Sequence, residues 1–199
     1  MPTKLAKIIK SNSHVDYIGR VIDRLDADDP PAPSDYGFAQ FVSMPLDDLS
    51  EVVGVIYNSQ LINPEYGNFG PRLSSAAENS VLSPDYLNEQ GLLVGILLLG
   101  WLDPEGASHQ SVPRRVIPVH QDINRLEEEG VRRFHLGADG RVHLHYYSQV
   151  MTHAGPFAAA LLEAIISQLE PACEPEERQR LCVLKQALVW QRTVGVQRL

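Results

Sequence analysis

The chain has 199 residues, 44% of them hydrophobic and 21% charged, a balance that suits a globular protein with a full core. Its net charge of −8, from 17 basic and 25 acidic residues, argues against a protein whose main work is gripping nucleic-acid backbone. Its two cysteines, Cys173 and Cys182, lie outside any C-x-x-C pair and read as reduced thiols, not as a disulfide framework or zinc site.

Lys4, Lys7 and Lys10 open the chain, but no continuous apolar run follows them, so a cytoplasmic protein without a secretory signal is expected. Val15–Asp23 (VDYIGRVID) reads as a first strand, with Gly19 as a possible bulge site. The following Asp26–Asp35 (DADDPPAPSD) is a loop, because its prolines stop helix and sheet alike. Asp26, Asp28 and Asp29 lack the spacing and the glycine of a calcium loop. Gly37–Met44 alternates and resumes as a strand, and Val52–Ile62 (VVGVIYNSQLI) is the next one. Asn63–Ser75 is turn chemistry around Gly67 and Gly70. It ends near Arg72 without the Lys-Ser/Thr of a phosphate-binding Walker loop.

Gly91–Leu102 (GLLVGILLLGWL) dominates the sequence. It is too short for a membrane helix, which needs about 20 apolar residues. As a strand it is apolar on both faces, with Leu93, Leu97, Leu99 and Trp101 on one and Leu92, Val94, Ile96, Leu98 and Leu102 on the other. Such a strand belongs at the centre of a barrel wall or covered sheet, with Gly95 and Gly100 placed for bends or bulges. Asp103–Gly106 is a turn, and Pro113 and Pro118 make Val112–Val119 (VPRRVIPV) an edge or wrapping segment.

Two patterns compete over 122–136. Ile123, Leu126, Val131 and Phe134 fall at helical spacing, with Asp122 placed to cap, Glu127–Glu129 as an acidic first turn and Gly137 placed to follow the helix end. A hairpin turning at Ala138–Gly140 would instead align Phe134 and Leu136 with Val142 and Leu144. Val142–Gln149 reads as a strand. Pro156–Leu169 and Pro175–Val194 read as two helices forming a hairpin, the second with a stripe of Leu181, Leu184, Leu188 and nearby Trp190. The first helix carries more apolar surface than one face needs, so it is either wedged inside the protein or shared with another chain. The expected fold is therefore α+β, mainly β: a small closed β-barrel over residues 1–119, then a mixed segment, 120–199, with one strand and two C-terminal helices.

The pairing of GRVID with the later EVVGVIYNSQL, joined by a Pro-rich loop and GFAQFVSM, resembles the HAS-barrel. That small barrel is named for its presence in HerA-type ATPases and in the ATP synthase α and β subunits. The resemblance covers Val15–Val119 and implies a barrel that assembles or docks a ring of P-loop ATPases. From Val150 onward the chain offers helices and no Walker loop, so it is similar to a stand-alone form of the barrel, and no catalytic residue of the family has a matching position. The function this implies is a non-catalytic assembly or docking module, partnering itself as a homo-oligomer or a HerA-like ATPase in DNA processing or repair.

One other chemistry competes. His143 and His145 form an H-x-H pair that, on a strand, would point to one face and could share a metal with His135 or His153. A small metal-dependent hydrolase is the alternative reading, against the wet face of an amphipathic strand. No third ligand stands at a diagnostic spacing, so no catalytic, cofactor-binding or metal-ligating residue is assigned and no cofactor is expected. No G-x-S-x-G surrounds a serine. An oligonucleotide-binding barrel is disfavoured by the acidic balance and by the lack of strand aromatics paired with Lys or Arg.

Overall fold

The computed structural model describes residues 3–48, 50–63, 91–137 and 139–196. The Asn63–Ser75 loop with Gly67, Gly70 and Arg72 lies, but for Asn63, outside the described residues, as does the tip of the expected hairpin turn at Ala138.

Among the described residues, seven strands form one sheet: β1 (Lys4–Ser11), β2 (Asp16–Val21), β3 (Phe41–Pro45), β4 (Glu51–Ile62), β5 (Gly91–Leu102), β6 (Ser108–His109) and β7 (Asp122–Arg125). The order is β2-β1-β7-β3-β4-β5-β6, and a further β2–β5 pairing closes six of them into a barrel. Every pairing is antiparallel. Among the described strands, closure leaves no long open edge, which is how a small β-protein avoids pairing with other chains.

β5 spans the residues read from its apolar run and is the longest wall strand together with β4. It pairs with β4 along its whole length on one side, and with β2 and then β6 on the other. Ile96, Leu97, Leu98 and Leu99 are all fully buried, so both faces are covered in the middle of the strand. Two bulges bend the β4–β5 ribbon. Leu99 is skipped between the Val53–Gly100 and Gly54–Leu98 pairs, and Tyr57 between Ile56–Ile96 and Asn58–Gly95. Strict two-residue alternation therefore does not run through Leu99. Gly100 is glycine because a Cβ there would lie 2.0 Å from the carbonyl oxygen of His109 on β6. The bulge near Gly19 belongs to the facing strand, where Ile9 is skipped. Gly19 itself makes room for Ile123, whose Cδ1 would lie 2.5 Å from an added Cβ.

The competing patterns over 122–136 are resolved by division. Asp122–Arg125 is β7, which completes the barrel between β1 and β3, and Glu128–His135 is helix α1. Thus Ile123 is a wall residue of the barrel, Asp122 is not a helix cap, and the sixth barrel strand lies beyond residue 119. The hairpin survives only as a single Leu136–Val142 bridge.

Val142–Gln149 is not a strand; Tyr147–His153 is helix α2. The physical reason is that side chains take the hydrogen bonds a neighbouring strand would have made. The Glu177 carboxylate accepts from Val142 N–H (2.9 Å), and Arg180 donates to the Val142 carbonyl (2.6 Å). Gln110 donates to the carbonyls of Phe134 (2.9 Å) and His143 (2.8 Å) while accepting from His145 N–H (2.8 Å).

Helices α3 (Ala158–Leu169) and α4 (Pro175–Val196) form the expected hairpin. Six of the residues of α3 are buried: Ala158, Leu161, Leu162, Ile165, Ile166 and Leu169. Its surplus apolar surface is thus spent inside, in a core continuous with that of the barrel. Gln149 of α2 donates to the Leu98 carbonyl and Gln168 of α3 to the Ala39 carbonyl (2.9 Å), tying the helical layer to the wall. Val112–Val119 has no regular structure and wraps the barrel. Its buried Ile117 donates its N–H to the Tyr17 hydroxyl (3.2 Å), and His14 donates to the Pro113 carbonyl (2.6 Å).

Candidate functional site

The histidines of the H-x-H motif sit in the loop between α1 and α2. Their rings lie 5.0 Å apart between centroids, and His143 Nε2 is 3.2 Å from Asp139 Oδ1. The Asp139 carboxyl is held below its ordinary pKa, chiefly by the Arg141 N–H and then by His143. His135 does not join them. It is buried at the end of α1, with Nδ1 2.7 Å from the Val131 carbonyl and Nε2 2.6 Å from the Tyr146 hydroxyl. A carbonyl can only accept, so Nδ1 carries the proton and Nε2 accepts from Tyr146. Burial pushes the His135 pKa down to about 4, so this residue is a neutral core histidine with both nitrogens in use. His153 is exposed at the end of α2. Among the described residues no group of three or more His, Cys, Asp or Glu side chains is placed to hold a metal.

Two other surfaces stand out. The first is the outer face of α4. Leu181 and Leu188 point into the core, each about 1% exposed, whereas Val183 is 63% and Trp190 67% exposed. At about 100° per residue, Val183, Ala187 and Trp190 fall roughly 180–240° around the helix from Leu181. Trp190 therefore belongs to a second stripe at i, i+4, i+7, not to the Leu181–Leu184–Leu188 stripe suggested by proximity in sequence. Ala187, between the two large residues, is exposed as well. Cys182 on the same helix is exposed, and Cys173 is buried, its thiol pKa raised by that burial; both are free.

The second is a cavity of about 420 Å³ at one end of the barrel, built by three separate segments. Leu46, Asp48, Ser50 and Val52 come from β3–β4, Trp101, Asp103 and Pro104 from the end of β5 and the turn after it, and Pro113 to Arg115 from the wrapping segment. The Trp101 indole stacks on the His109 ring, 4.9 Å between centroids and 15° from parallel. His109 Nε2 lies 3.1 Å from Asp103, whose carboxyl pKa is lowered chiefly by that hydrogen bond. Asp48 accepts from the Ser50 hydroxyl (2.5 Å), the main cause of its own lowered pKa, and pairs with Arg115 at 2.9 Å. Sequence reading identified the turn and the wrapping segment here but not the cavity. Its parts come from stretches far apart in the sequence, brought together by the β4–β5 pairing and the Asp48–Arg115 ion pair.

The fold and these surfaces define a small closed, six-stranded antiparallel β-barrel covered by C-terminal helices, an α+β protein that is mainly β. The chain belongs to the family described as a domain of unknown function (DUF8166), which it matches over residues 1–197. No curated protein matches it. No helix among the described residues is long and apolar enough to cross a membrane.

Proposed function

We propose that the protein is a non-catalytic barrel-type assembly module that pairs with a second copy of itself through α4, and that the assembled barrel partners a HerA-like P-loop ATPase in the cytoplasm, in DNA processing or repair. The observation that carries this reading is the exposed Val183–Ala187–Trp190 stripe on a helix whose opposite face is already packed. Tryptophan is among the residues most enriched at interface hot spots, and here it does not stand alone but shares one exposed helix face with Val183 and Ala187. A second copy fits the stripe. In an antiparallel pairing centred between Gln186 and Ala187, Val183 of one chain faces Trp190 of the other, and the small Ala187 lets the backbones approach. The ATPase assignment rests on the HAS-barrel resemblance and is an analogy of architecture.

The experiment is light scattering on the full chain and on Trp190→Asp, with co-purification of a P-loop ATPase from the native source scored for both. A wild-type dimer that becomes a folded monomer on Trp190→Asp supports the reading. A wild-type chain that is monomeric at tens of micromolar, and that retains no ATPase, refutes it.

A further inference from the structure

We propose that the barrel-end cavity is a binding site for a small aromatic monoanion, such as an aromatic carboxylate or sulfonate. Its volume of about 420 Å³ falls in the range of small-molecule sites, roughly 300–1,000 Å³. The walls contributed by Leu46, Val52, Trp101, Pro104 and Pro113 are apolar and rigid, suited to an aromatic body. The aromatic wall is fixed before any ligand arrives, because Trp101 is stacked on His109 and His109 is held by Asp103. That stack depends on two features made for it: the β5–β6 pairing that sets Trp101 opposite His109, and Gly100, where no side chain fits against the His109 carbonyl.

The charge of the ligand follows from the rim. Asp48 and Arg115 neutralise each other, and Asp103 is occupied by His109 and by the Ala107 N–H (2.7 Å). Arg114 lines the same cavity, is exposed, and makes no ion pair among the described residues. Among the described residues, Arg114 is thus the charged side chain at the mouth whose hydrogen-bonding groups are unengaged, and a guanidinium is a strong partner for a single carboxylate or sulfonate. A polyphosphate would bring several negative charges within reach of two carboxylates, which disfavours nucleotides.

The test uses two probes that share one aromatic body: 8-anilinonaphthalene-1-sulfonate, and N-phenyl-1-naphthylamine, which lacks the sulfonate. Titrations are made on full-length Trp190→Phe protein, which leaves Trp101 as the only tryptophan of the two in the chain, so energy transfer from its indole reports the site. The expected result is saturable 1:1 binding, with the sulfonate bound about tenfold more tightly than the neutral probe. Arg114→Gln, at an exposed position, is expected to leave the melting temperature unchanged and to abolish the difference between the probes. Trp101→Ala, which removes the energy donor and is therefore followed by the probes' own fluorescence on direct excitation, should weaken both. Equal affinity for the two probes, a preference that survives Arg114→Gln, or no saturable transfer from Trp101 would each overturn the proposal. The outcome is independent of the oligomeric state set by α4.

Discussion

Acidification between pH 6.5 and 4 should destabilise this protein through His135. The residue is buried and neutral, donating to Val131 and accepting from Tyr146, with the Phe41 and Phe134 rings each 5.0 Å from its own. Its pKa in the folded chain is about 4, against an ordinary 6.5. As the pH falls through 6.5 the unfolded chain takes up this proton and the folded chain does not, so stability drops until the pH reaches about 4 and then levels off. At 1.36 kcal/mol per pH unit, the loss across that window is about 3 kcal/mol, a large share of a domain's total of roughly 5–15 kcal/mol. Asp48, Asp103 and Asp139 have lowered pKa values, so their contributions disappear below pH 3.8, outside the window. The assay is urea unfolding at pH 7.5 and pH 4.5 for the wild type and His135→Gln. The variant should be less stable at pH 7.5, and its loss between the two pH values should be smaller by about 2–3 kcal/mol. An identical pH dependence in both proteins would refute the reasoning.

Substitutions at two further positions probe the joints and the wall of the fold. Glu177→Ala leaves the Val142 N–H and Arg180 without their buried acceptor and should cost about 3 kcal/mol, whereas Glu177→Gln keeps an acceptor and should cost about 1 kcal/mol. Equal urea midpoints for the two variants would show that the carboxylate is not what holds the loop. Leu97→Asp places an unpaired charge at a fully buried position of β5 and should cost more than about 3 kcal/mol, read as a large fall in the thermal midpoint. A midpoint near that of the wild type would mean that the site is open to water.

Elements that speak for themselves locally were legible in the sequence. Gly91–Leu102 is a strand over its full predicted length because twelve residues without charge or hydroxyl have no alternative to burial. The helices from Ala158 and Pro175 carry their own start signals and apolar periodicity. What failed depended on distant residues. The helical spacing of Ile123 and Leu126 with Val131 and Phe134 is accidental for the first pair, since β1 and β3 recruit Asp122–Arg125 into the wall. The alternation of Val142, Leu144 and Tyr146 resembled a strand, but Gln110, Glu177 and Arg180 satisfy that backbone from far along the chain. The second stripe on α4 was readable from 100° arithmetic alone, whereas the Trp101 cavity is assembled from the β3–β4 connection, the end of β5 and the wrapping segment, which are far apart in the sequence.

The same joints decide how the barrel and the helices depend on each other. A chain ending at Gln149 would retain all seven strands but only the first residues of α2 and none of α3 or α4. It would lose Leu161, Leu162, Ile165 and Ile166, each fully buried, and at roughly 1.5–3 kcal/mol apiece their removal forfeits about 6–12 kcal/mol. That equals the whole stability of a typical domain, and the Glu177–Arg180 clamp on Val142 goes with it. The truncated chain should therefore lack a cooperative thermal transition and should aggregate, even though its strands are intact in sequence. Loss of assembly on truncation would then report unfolding and not the removal of a docking surface, which is why single substitutions at Trp190 and Val183 are the informative variants. A Gln149-terminated chain that melts cooperatively near the wild-type temperature would show that the barrel stands without its helical cover, and that the burial of α3 serves the helices alone.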